Sequence, residues 1–189
     1  MGIMRLLVIV GSVRPGRVGL PIARWAAQRI AAGYPEIEID LADLAEIALP
    51  FMDEPKHPRL QEYTHAHTIA WSGRVASADA VVFVTPDYNH GTAPALKNAI
   101  DYLIEEWAYK PYGFVSYGGV SSGTRAAAAL VPSLAMLGML RARAALEISF
   151  PGSRVVDGVF DATESEEVRL DTMIAELEEL APALAALRG

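Results

Sequence analysis

The sequence predicts an α/β protein with a parallel β-sheet and helices on both of its faces. Short apolar runs recur along the chain, and segments with helical spacing of apolar residues separate them. The runs are almost continuous in Val, Ile, Leu and Phe, which is typical of strands buried on both faces. Five alternations of strand and helix therefore predict five parallel strands.

Five segments are assigned to strands by their composition. The first, Met4–Val10, is a run of β-branched residues, leucine and one arginine that stops at a Gly-Ser pair. Because proline, asparagine or glycine clusters follow several of the runs, the strand ends are marked by turn residues. The other predicted strands cover residues 37–41, 80–84, 113–116 and 144–148.

The intervening segments have helical periodicity. The first helix places Val18, Ile22 and Ile30 on one face and Pro21 in its first turns, where a missing N–H costs little. The last helix opens with a threonine and a glutamate in capping-box spacing. Segments 49–60 and 151–162 are assigned to loops. Helices are predicted over residues 18–32, 62–76, 92–104 and 124–137, and from Thr163 onward.

Composition limits the class of function. The 189 residues, 52% of them hydrophobic, predict one domain over residues 1–189. A net charge of −7 argues against binding to a DNA or RNA backbone. The absence of cysteine excludes disulfides, thiolate catalysis and iron–sulfur ligation. Since no apolar run could cross a bilayer and residues 1–10 resemble a strand rather than a signal peptide, we expect a cytoplasmic protein.

Three loops are expected at one edge of the sheet, because right-handed crossovers place the carboxyl ends of parallel strands together. The first loop combines glycines, a hydroxyl and two arginines before a helix, which favours phosphate binding over an ordinary turn. A Walker loop is excluded, since an Arg-Val pair replaces its Lys-Ser/Thr, and no GxGxxG fingerprint is present. The loops cover residues 11–17, 86–91 and 116–123.

The second and third loops offer flat and polar groups but no evident nucleophile. In the second, Tyr88 supplies an aromatic plane and Asn89 supplies hydrogen bonds, although a tight turn with Tyr88 in the core is an equal alternative. In the third, Tyr117 could stack and two glycines permit close backbone approach, although for this loop taken alone a flexible turn is the favoured interpretation. Together the three loops suit a planar cofactor better than covalent catalysis.

Histidines and aromatics outside the loops point to packing. His65 and His67 are expected to diverge on a helix, and the four histidines show no metal-ligand spacing, so no metal site is predicted. His90 is placed at the crevice, where it could touch a substrate. The residues Trp71, Tyr102, Trp107 and Tyr109 are assigned either to the core or to a dimer surface.

In this setting the chain resembles the NAD(P)H-dependent FMN reductase family. The resemblance lies in an ordered set of motifs: Gly-Ser-Val-Arg at 11–14, Pro-Asp-Tyr-Asn at 86–89, Leu-Lys-Asn-Ala-Ile-Asp at 96–101, Ser-Tyr-Gly-Gly at 116–119 and Gly-Thr-Arg-Ala at 123–126. The resemblance implies a flavodoxin-like three-layer sandwich with strand order 2-1-3-4-5. It also implies FMN as cofactor, NADPH or NADH as co-substrate, and a homodimer or homotetramer.

The resemblance further implies the roles of individual residues in FMN binding. The phosphate would be held by Ser12, Arg14, Gly16, Arg17 and Val18. The isoalloxazine ring would be bordered by Pro86, Asp87, Tyr88 and Asn89, and closed on the other side by Ser116, Tyr117, Gly118 and Gly119. No catalytic side chain is assigned, because the flavin itself carries the electrons.

Two residues depart from the family pattern. Asp87 replaces the more usual Glu, and Arg17 replaces a serine found in many members, so that Arg17 could make a longer phosphate contact or serve the nicotinamide cofactor. The expected activity is transfer of hydride from NADPH to FMN and on to a small acceptor such as a quinone, an azo compound or free flavin. The alternatives are a flavodoxin-like one-electron carrier and a flavin-free binding domain.

Overall fold

The computed structural model describes residues 3–188 and has a parallel six-stranded sheet at its centre. The strand order is β2-β1-β3-β4, and two short strands share the position beyond β4. All neighbouring strands in this sheet are parallel. The strands are β1 Met4–Val10, β2 Ile37–Asp43, β3 Ala80–Pro86, β4 Pro111–Gly118, β5 Leu140–Arg141 and β6 Leu146–Ser149. The predicted α/β class, the parallel pairing of the main sheet and the order 2-1-3-4-5 are confirmed.

Helices cover both faces of the sheet, and each face has its own core. Alternate residues of β1 divide between the two cores, with Leu6 and Val8 on one side and Leu7 and Ile9 on the other. Helices α1 (Gly19–Gly33) and α6 (Glu164–Ala185) pack on the first face. The second face is covered by α3 (Ala66–Ala76), α4 (Pro94–Asp101) and α5 (Thr124–Met136).

The predicted fifth strand, 144–148, is wrong in its extent, because the chain pairs with β4 in two separate pieces. Leu140 lies opposite Pro111, and Leu146 lies opposite Val115. Between them the backbone leaves the ladder, since the N–H groups of residues 143 and 144 donate to the Glu176 carboxylate of α6 at 2.9 and 3.0 Å. A side chain distant in sequence therefore divides the strand.

Two helices begin later than their periodicity predicts. Helix α3 begins at Ala66 rather than residue 62, because the Glu54 carboxylate accepts the N–H groups of Thr64 and His65 and holds them outside the helix. Helix α4 begins at Pro94 rather than residue 92, since the residue before a proline is forced into an extended conformation. The rest of the first predicted segment is helical, whereas α4 ends at Asp101 rather than at residue 104, because the Ile100 carbonyl accepts the N–H groups of Leu103 and of the Trp107 indole instead of continuing the helix.

The remaining elements are short and surround the main sheet. A four-residue helix α2 (Leu44–Ile47) follows β2 directly. The segment predicted as the loop 151–162 contains a two-stranded antiparallel hairpin, β7 (Val155–Val156) with β8 (Val159–Phe160). The predicted capping box of α6 is present, with Thr163 and Glu166 satisfying each other's backbone N–H groups.

The expected divergence of two histidines is wrong. His65 precedes α3 instead of lying within it, and its ring stacks on the ring of His67 with centroids 5.2 Å apart. Both rings contact Asp53. Nε2 of His67 lies 3.0 Å from the Asp53 carboxylate oxygen Oδ1, and Nε2 of His65 lies 3.2 Å from the Asp53 carbonyl oxygen. No group of three potential metal ligands occurs within residues 3–188. The aromatic residues Trp71, Tyr102 and Trp107 are buried in the core, whereas Tyr109 is exposed.

The carboxyl ends of the parallel strands place the three predicted loops at one edge of the sheet. The loop after β1 leads into α1, the loop after β3 leads into α4, and the loop after β4 leads into α5. Across residues 3–188, no helix combines the length and the apolar character needed to pass through a bilayer. The loops at this edge form the candidate site.

Candidate functional site

A cavity of about 240 Å³ lies between the three loops at the carboxyl edge of the sheet. Two further residues, Pro151 and Gly152, complete its lining from the segment that follows β6. Nine of the thirteen predicted binding residues line this cavity, namely Ser12, Arg14, Arg17, Val18, Pro86, Asp87, Tyr88, Tyr117 and Gly118.

Four predicted residues lie beside the cavity rather than in its lining. Gly16 forms the exposed turn of the first loop with φ +71°, and Asn89 is exposed at the tip of the second loop. Ser116 is buried, and its hydroxyl donates to the Ser122 carbonyl at 2.8 Å, so it holds the third loop in shape. Gly119 is exposed at the mouth.

The first and second loops meet through a hydrogen bond between two hydroxyl groups. Ser12, directly after β1, is buried, and its Oγ lies 2.6 Å from the Tyr88 hydroxyl. A backbone bond from Arg17 N to the Arg14 carbonyl closes the first loop just before α1 begins. The start of this helix, with its free N–H groups, therefore faces the cavity, which is a favourable place for an anion.

The two arginines of the first loop differ in their electrostatic surroundings. Arg17 is mostly buried and forms an ion pair with Asp43, which is itself buried at the carboxyl end of β2. Asp43 also caps α2 by accepting the Ala45 N–H at 3.0 Å. The side chain of Arg14, in contrast, is exposed and makes no ion pair or hydrogen bond with any residue of the described chain 3–188. The charge of Arg14 is therefore available to a ligand.

The second loop is a tight turn whose tip carries two residues in the left-handed conformation. Tyr88 and Gly91 exchange backbone hydrogen bonds at 3.1 and 3.0 Å, and Asn89 and His90 between them have φ values of +54° and +64°. Positive φ at both central positions defines a type I′ turn, which asparagine tolerates. The turn holds Tyr88 at the cavity wall, half-buried rather than in the core.

Asp87 ties the second loop to the third. Its N–H donates to the Tyr117 carbonyl at 3.1 Å, one carboxylate oxygen accepts the His90 N–H at 2.7 Å, and the other accepts the Ser121 hydroxyl at 3.2 Å. Asp87, which is shorter than the glutamate usual in the family pattern, thus makes its contacts within the protein. Its carboxylate is positioned by two loops at once and fixes their separation.

Tyr117, at the end of β4, carries a polar group with no partner of its own. Its side chain is buried, and its hydroxyl makes no hydrogen bond with the described residues 3–188. A phenol is protonated at neutral pH, and burial raises the pKa of the Tyr117 phenol further above its ordinary value. A buried hydroxyl beside the cavity that is unpaired and protonated is suited to a polar atom of a ligand.

The sequence reasoning missed Pro151 and Gly152, which line the cavity, and Asp43, which pairs with the lining residue Arg17. The signal for the first two was present, because Phe-Pro-Gly after an apolar run marks a turn at a strand end. The signal for Asp43 was also present, since β2 ends at the same edge as the other strands. Because the predicted strand ended at residue 41, Asp43 was assigned to the segment that follows β2 instead.

The fold and the cavity define a class of protein. A doubly wound parallel sheet of order 2-1-3-4-5, with a ligand cavity at the carboxyl ends of its central strands, is a flavodoxin-like protein. The model of the NADPH-dependent FMN reductase family matches residues 4–150 of this chain. The chain belongs to that family.

Individual relatives agree with the family match. The chain is 38% identical over 159 residues to a protein of Schizosaccharomyces pombe named NAD(P)H-dependent FMN reductase, covering 83% of this chain and 78% of the relative. It is 31% identical over 160 residues to an NADPH azoreductase of a Bacillus species, covering 82% and 81%. The flavoenzyme NAD(P)H:(acceptor) oxidoreductase FerB of Paracoccus denitrificans has a similar fold, with a TM-score of 0.73 at 22% identity over 94% of this chain and 98% of that one.

Proposed function

We propose that this chain binds FMN in the cavity at the carboxyl edge and uses it to oxidise NADPH and reduce a small acceptor. The single observation that carries the proposal is the convergence of nine predicted residues from three separate loops on one cavity. Residues 1–189 would then form one FMN-binding domain. The family to which the chain belongs gives the same activity.

The first loop fits the FMN phosphate. Arg14 brings a charge that no residue among 3–188 neutralises, and Ser12 brings a hydroxyl within the same lining. Gly16 and Val18 shape the turn that aims the start of α1 at the cavity. Arg17 has a weaker claim to the phosphate, because Asp43 already compensates its charge. Charge-assisted hydrogen bonds to Arg14 and the helix N–H groups would supply most of the affinity at this end.

The second and third loops fit the flavin ring. Pro86, Asp87, Tyr88 and Asn89 would border one side and Ser116, Tyr117, Gly118 and Gly119 the other, with the Asp87 bonds holding the two loops at a fixed distance. The unpaired Tyr117 hydroxyl is an internal sign of a missing polar partner. Because this phenol is protonated at neutral pH and accepts from no residue among 3–188, it could donate a hydrogen bond to the cofactor.

Bound FMN would supply the redox chemistry, accepting two electrons as hydride from the nicotinamide ring and passing them to the acceptor. The protein would orient the two partners and hold the flavin. Among acceptors we propose flat two-electron compounds such as quinones, azo compounds and free flavin. A cytoplasmic location, where NADPH is supplied, belongs to the same proposal.

The test of function begins with the absorption spectrum of the purified chain after loading with FMN. We expect a yellow protein, bleached by NADPH without oxygen and recoloured by 2-methyl-1,4-naphthoquinone, and steady NADPH consumption only when the acceptor is present. A protein that binds FMN but consumes no NADPH with any acceptor would instead be an electron carrier. A protein that stays colourless after FMN is added would overturn the cofactor as well.

We further propose that the chain forms a homodimer or a pair of dimers. Phe51 is 86% exposed, and its loop is anchored to α4 because the Asn98 amide bonds Pro50 O at 2.7 Å and Met52 N at 3.0 Å. A rigidly held, exposed aromatic side chain is typical of an interface anchor. Phe51→Ser should lower the mass measured by light scattering at micromolar concentration, whereas Val156→Ser, at another exposed apolar side chain, should not.

A further inference from the structure

Phe150 is an exposed aromatic residue at the mouth of the cavity, and the proposed function leaves it without a role. Its side chain is 61% exposed, although it directly precedes Pro151 and Gly152 in the cavity lining. Its ring lies beside the third loop, since a Cβ placed on Gly119 would be 3.6 Å from Cε1 of the ring. Val120, next in that loop, is 90% exposed. An apolar surface thus rises from two loops beside the opening.

The backbone of Phe150 is in a conformation that a bulky residue seldom adopts. Its φ and ψ of +47° and +50° lie in the left-handed region, where a Cβ is disfavoured. Two contacts hold it there: its N–H donates to the Gly118 carbonyl at 2.7 Å, and the preceding Ser149 hydroxyl lies 2.5 Å from that of Ser122. The conformation turns the chain from β6 into the cavity wall.

Folding gains little from an aromatic side chain at such a position. Asparagine or glycine would adopt the same backbone at lower cost, and the exposed ring contributes little burial to the core. Among the described residues, eight non-glycine residues have positive φ, and four of these, Asn89, His90, Ser122 and Phe150, lie in the loops around this one cavity. Strain of this kind concentrates at ligand sites.

We propose that Phe150, flanked by Val120, forms a shelf on which the flat conjugated ring of a substrate stacks at the mouth of the cavity. The inference rests on the proposed function, because it places the substrate against the flavin end. Two substrates carry such a ring, the nicotinamide of the hydride donor and the quinone or azo acceptor. Aromatic rings offer offset stacking to both, and the uncharged shelf adds no preference for an anion.

The experiment separates the two half-reactions of the FMN-loaded protein by rapid mixing without oxygen. Phe150→Asn removes the ring and suits the left-handed backbone, Phe150→Tyr keeps the ring, and Val156→Ala removes an equally exposed apolar side chain of the hairpin. The reductive step is followed with NADPH, and the oxidative step with 2-methyl-1,4-naphthoquinone or with ferricyanide, which is not flat. A second readout is the Kd of 2-naphthol, a flat ring that takes no electrons, from the flavin absorbance.

Loss of the ring should raise the Kd of 2-naphthol and weaken one half-reaction by roughly three- to tenfold. A loss confined to the quinone step identifies the acceptor as occupant, and a loss confined to NADPH identifies the nicotinamide. Phe150→Tyr and Val156→Ala should resemble the unaltered protein, and ferricyanide should be reduced equally by all. The thermal midpoint of Phe150→Asn should be unchanged or higher.

Three results would overturn the shelf. The first is an unchanged Kd of 2-naphthol together with unchanged half-reactions in Phe150→Asn. The second is an equal loss with ferricyanide, which would assign Phe150 to flavin binding. The third is a lowered mass in solution with no change in either half-reaction, which would assign Phe150 to a subunit contact. An unaltered protein without NADPH oxidation would instead overturn the proposed function, so the two failures are distinguishable.

Discussion

At the amino edge of the sheet, where β3 and β4 begin, the cations Lys110 and Arg188 are paired with backbone carbonyls or a carboxylate, whereas at the carboxyl edge one of the two arginines of the first loop has no partner among residues 3–188. The buried Lys110 ammonium donates to the carbonyls of Ala76 and Ala78, and Arg188 pairs with Asp79 at 3.5 Å. At the carboxyl edge Arg14 is unpaired within residues 3–188, the Tyr117 hydroxyl has no partner there, and four residues have strained backbones.

The difference between the edges shows where this fold gives up stability. Both edges are formed by the same strands and are covered by the same helices, so the core does not distinguish them. Unpaired polar groups and positive φ angles cost free energy unless a ligand or a packing need accounts for them. The amino edge has such features too, at Tyr109 and Glu106, but four positive φ angles and the unpaired Tyr117 hydroxyl surround one cavity at the carboxyl edge, which favours that edge as the functional side of the sheet.

The largest effect is expected from Gly123→Ala in the third loop. Gly123 has φ +79°, and a Cβ there would lie 2.5 Å from Tyr117 N and 2.7 Å from Tyr117 O. Strain and collision with backbone together should cost about 3 kcal/mol or more of unfolding free energy. Thermal unfolding should show a midpoint lower by about 6–12 °C for a domain of this size. FMN should bind more weakly, since the third loop must move.

Gly16→Ala is the matched control for that substitution. Gly16 has a similar φ of +71°, but a Cβ there would meet no atom within 4 Å. The change should cost only about 1 kcal/mol, from the left-handed backbone alone. Equal destabilisation by the two alanines would contradict the close packing of Gly123 against Tyr117.

Much of this architecture could be predicted from the sequence because its signals are local. The continuous apolar runs fixed β1 and β3 to within two residues, and the Thr163–Glu166 pair located the start of α6. The three site loops followed from topology, since the carboxyl ends of parallel strands share an edge. The residues on these loops were then assigned through family motifs, and nine of them line the cavity.

The rest could not be predicted because partners distant in sequence decide it. Glu176, which lies on α6 more than 30 residues along the chain, splits the predicted fifth strand into two pieces. Glu54 likewise delays the start of α3, because its carboxylate accepts the His65 N–H. Nothing local to the first loop shows that Asp43 pairs with Arg17, although this pairing changes which arginine is free. Contacts of this kind carry no periodicity, so pattern reasoning does not detect them.

The second prediction distinguishes Arg17 from Arg14 by the effect of their removal on the free energy of unfolding. Arg17→Ala leaves Asp43, only 4% exposed, without its cation, and one-sided removal of a buried pair is strongly destabilising. Because Arg17 is itself partly exposed, we expect a loss of about 2 kcal/mol in urea unfolding. The double variant Arg17→Ala/Asp43→Asn should recover part of it, as a double-mutant cycle would show. Additive losses in the double variant would show that the pair does not couple.

The third prediction distinguishes Arg14 from Arg17 by the effect of their removal on the affinity for FMN. Arg14→Ala removes an exposed charge without a protein partner among residues 3–188, so the unfolding free energy should change by less than about 0.5 kcal/mol. FMN affinity, measured by fluorescence titration, should fall by about 1.5–3 kcal/mol, the range of a hydrogen bond to a charged group. Arg24→Ala, which removes an exposed arginine within α1, should leave the affinity for FMN unchanged. A larger affinity loss in Arg17→Ala than in Arg14→Ala would reverse the assignment.

The smallest effect tests the amino edge, where burial lowers the pKa of Lys110 to about 8 despite its carbonyl partners. Between that value and the ordinary pKa near 10.5, the unfolded chain binds more protons than the folded one, so stability rises with pH. From pH 7.5 to 9.5 the unfolding free energy should increase by about 1–2 kcal/mol. The scan stops there because burial raises the pKa of Tyr102 to about 12, and such phenols reverse the slope once they ionise in the unfolded chain. Lys110→Met should abolish this rise of unfolding free energy with pH. An equal rise in both proteins would show that the titration of Lys110 does not contribute to stability at the amino edge.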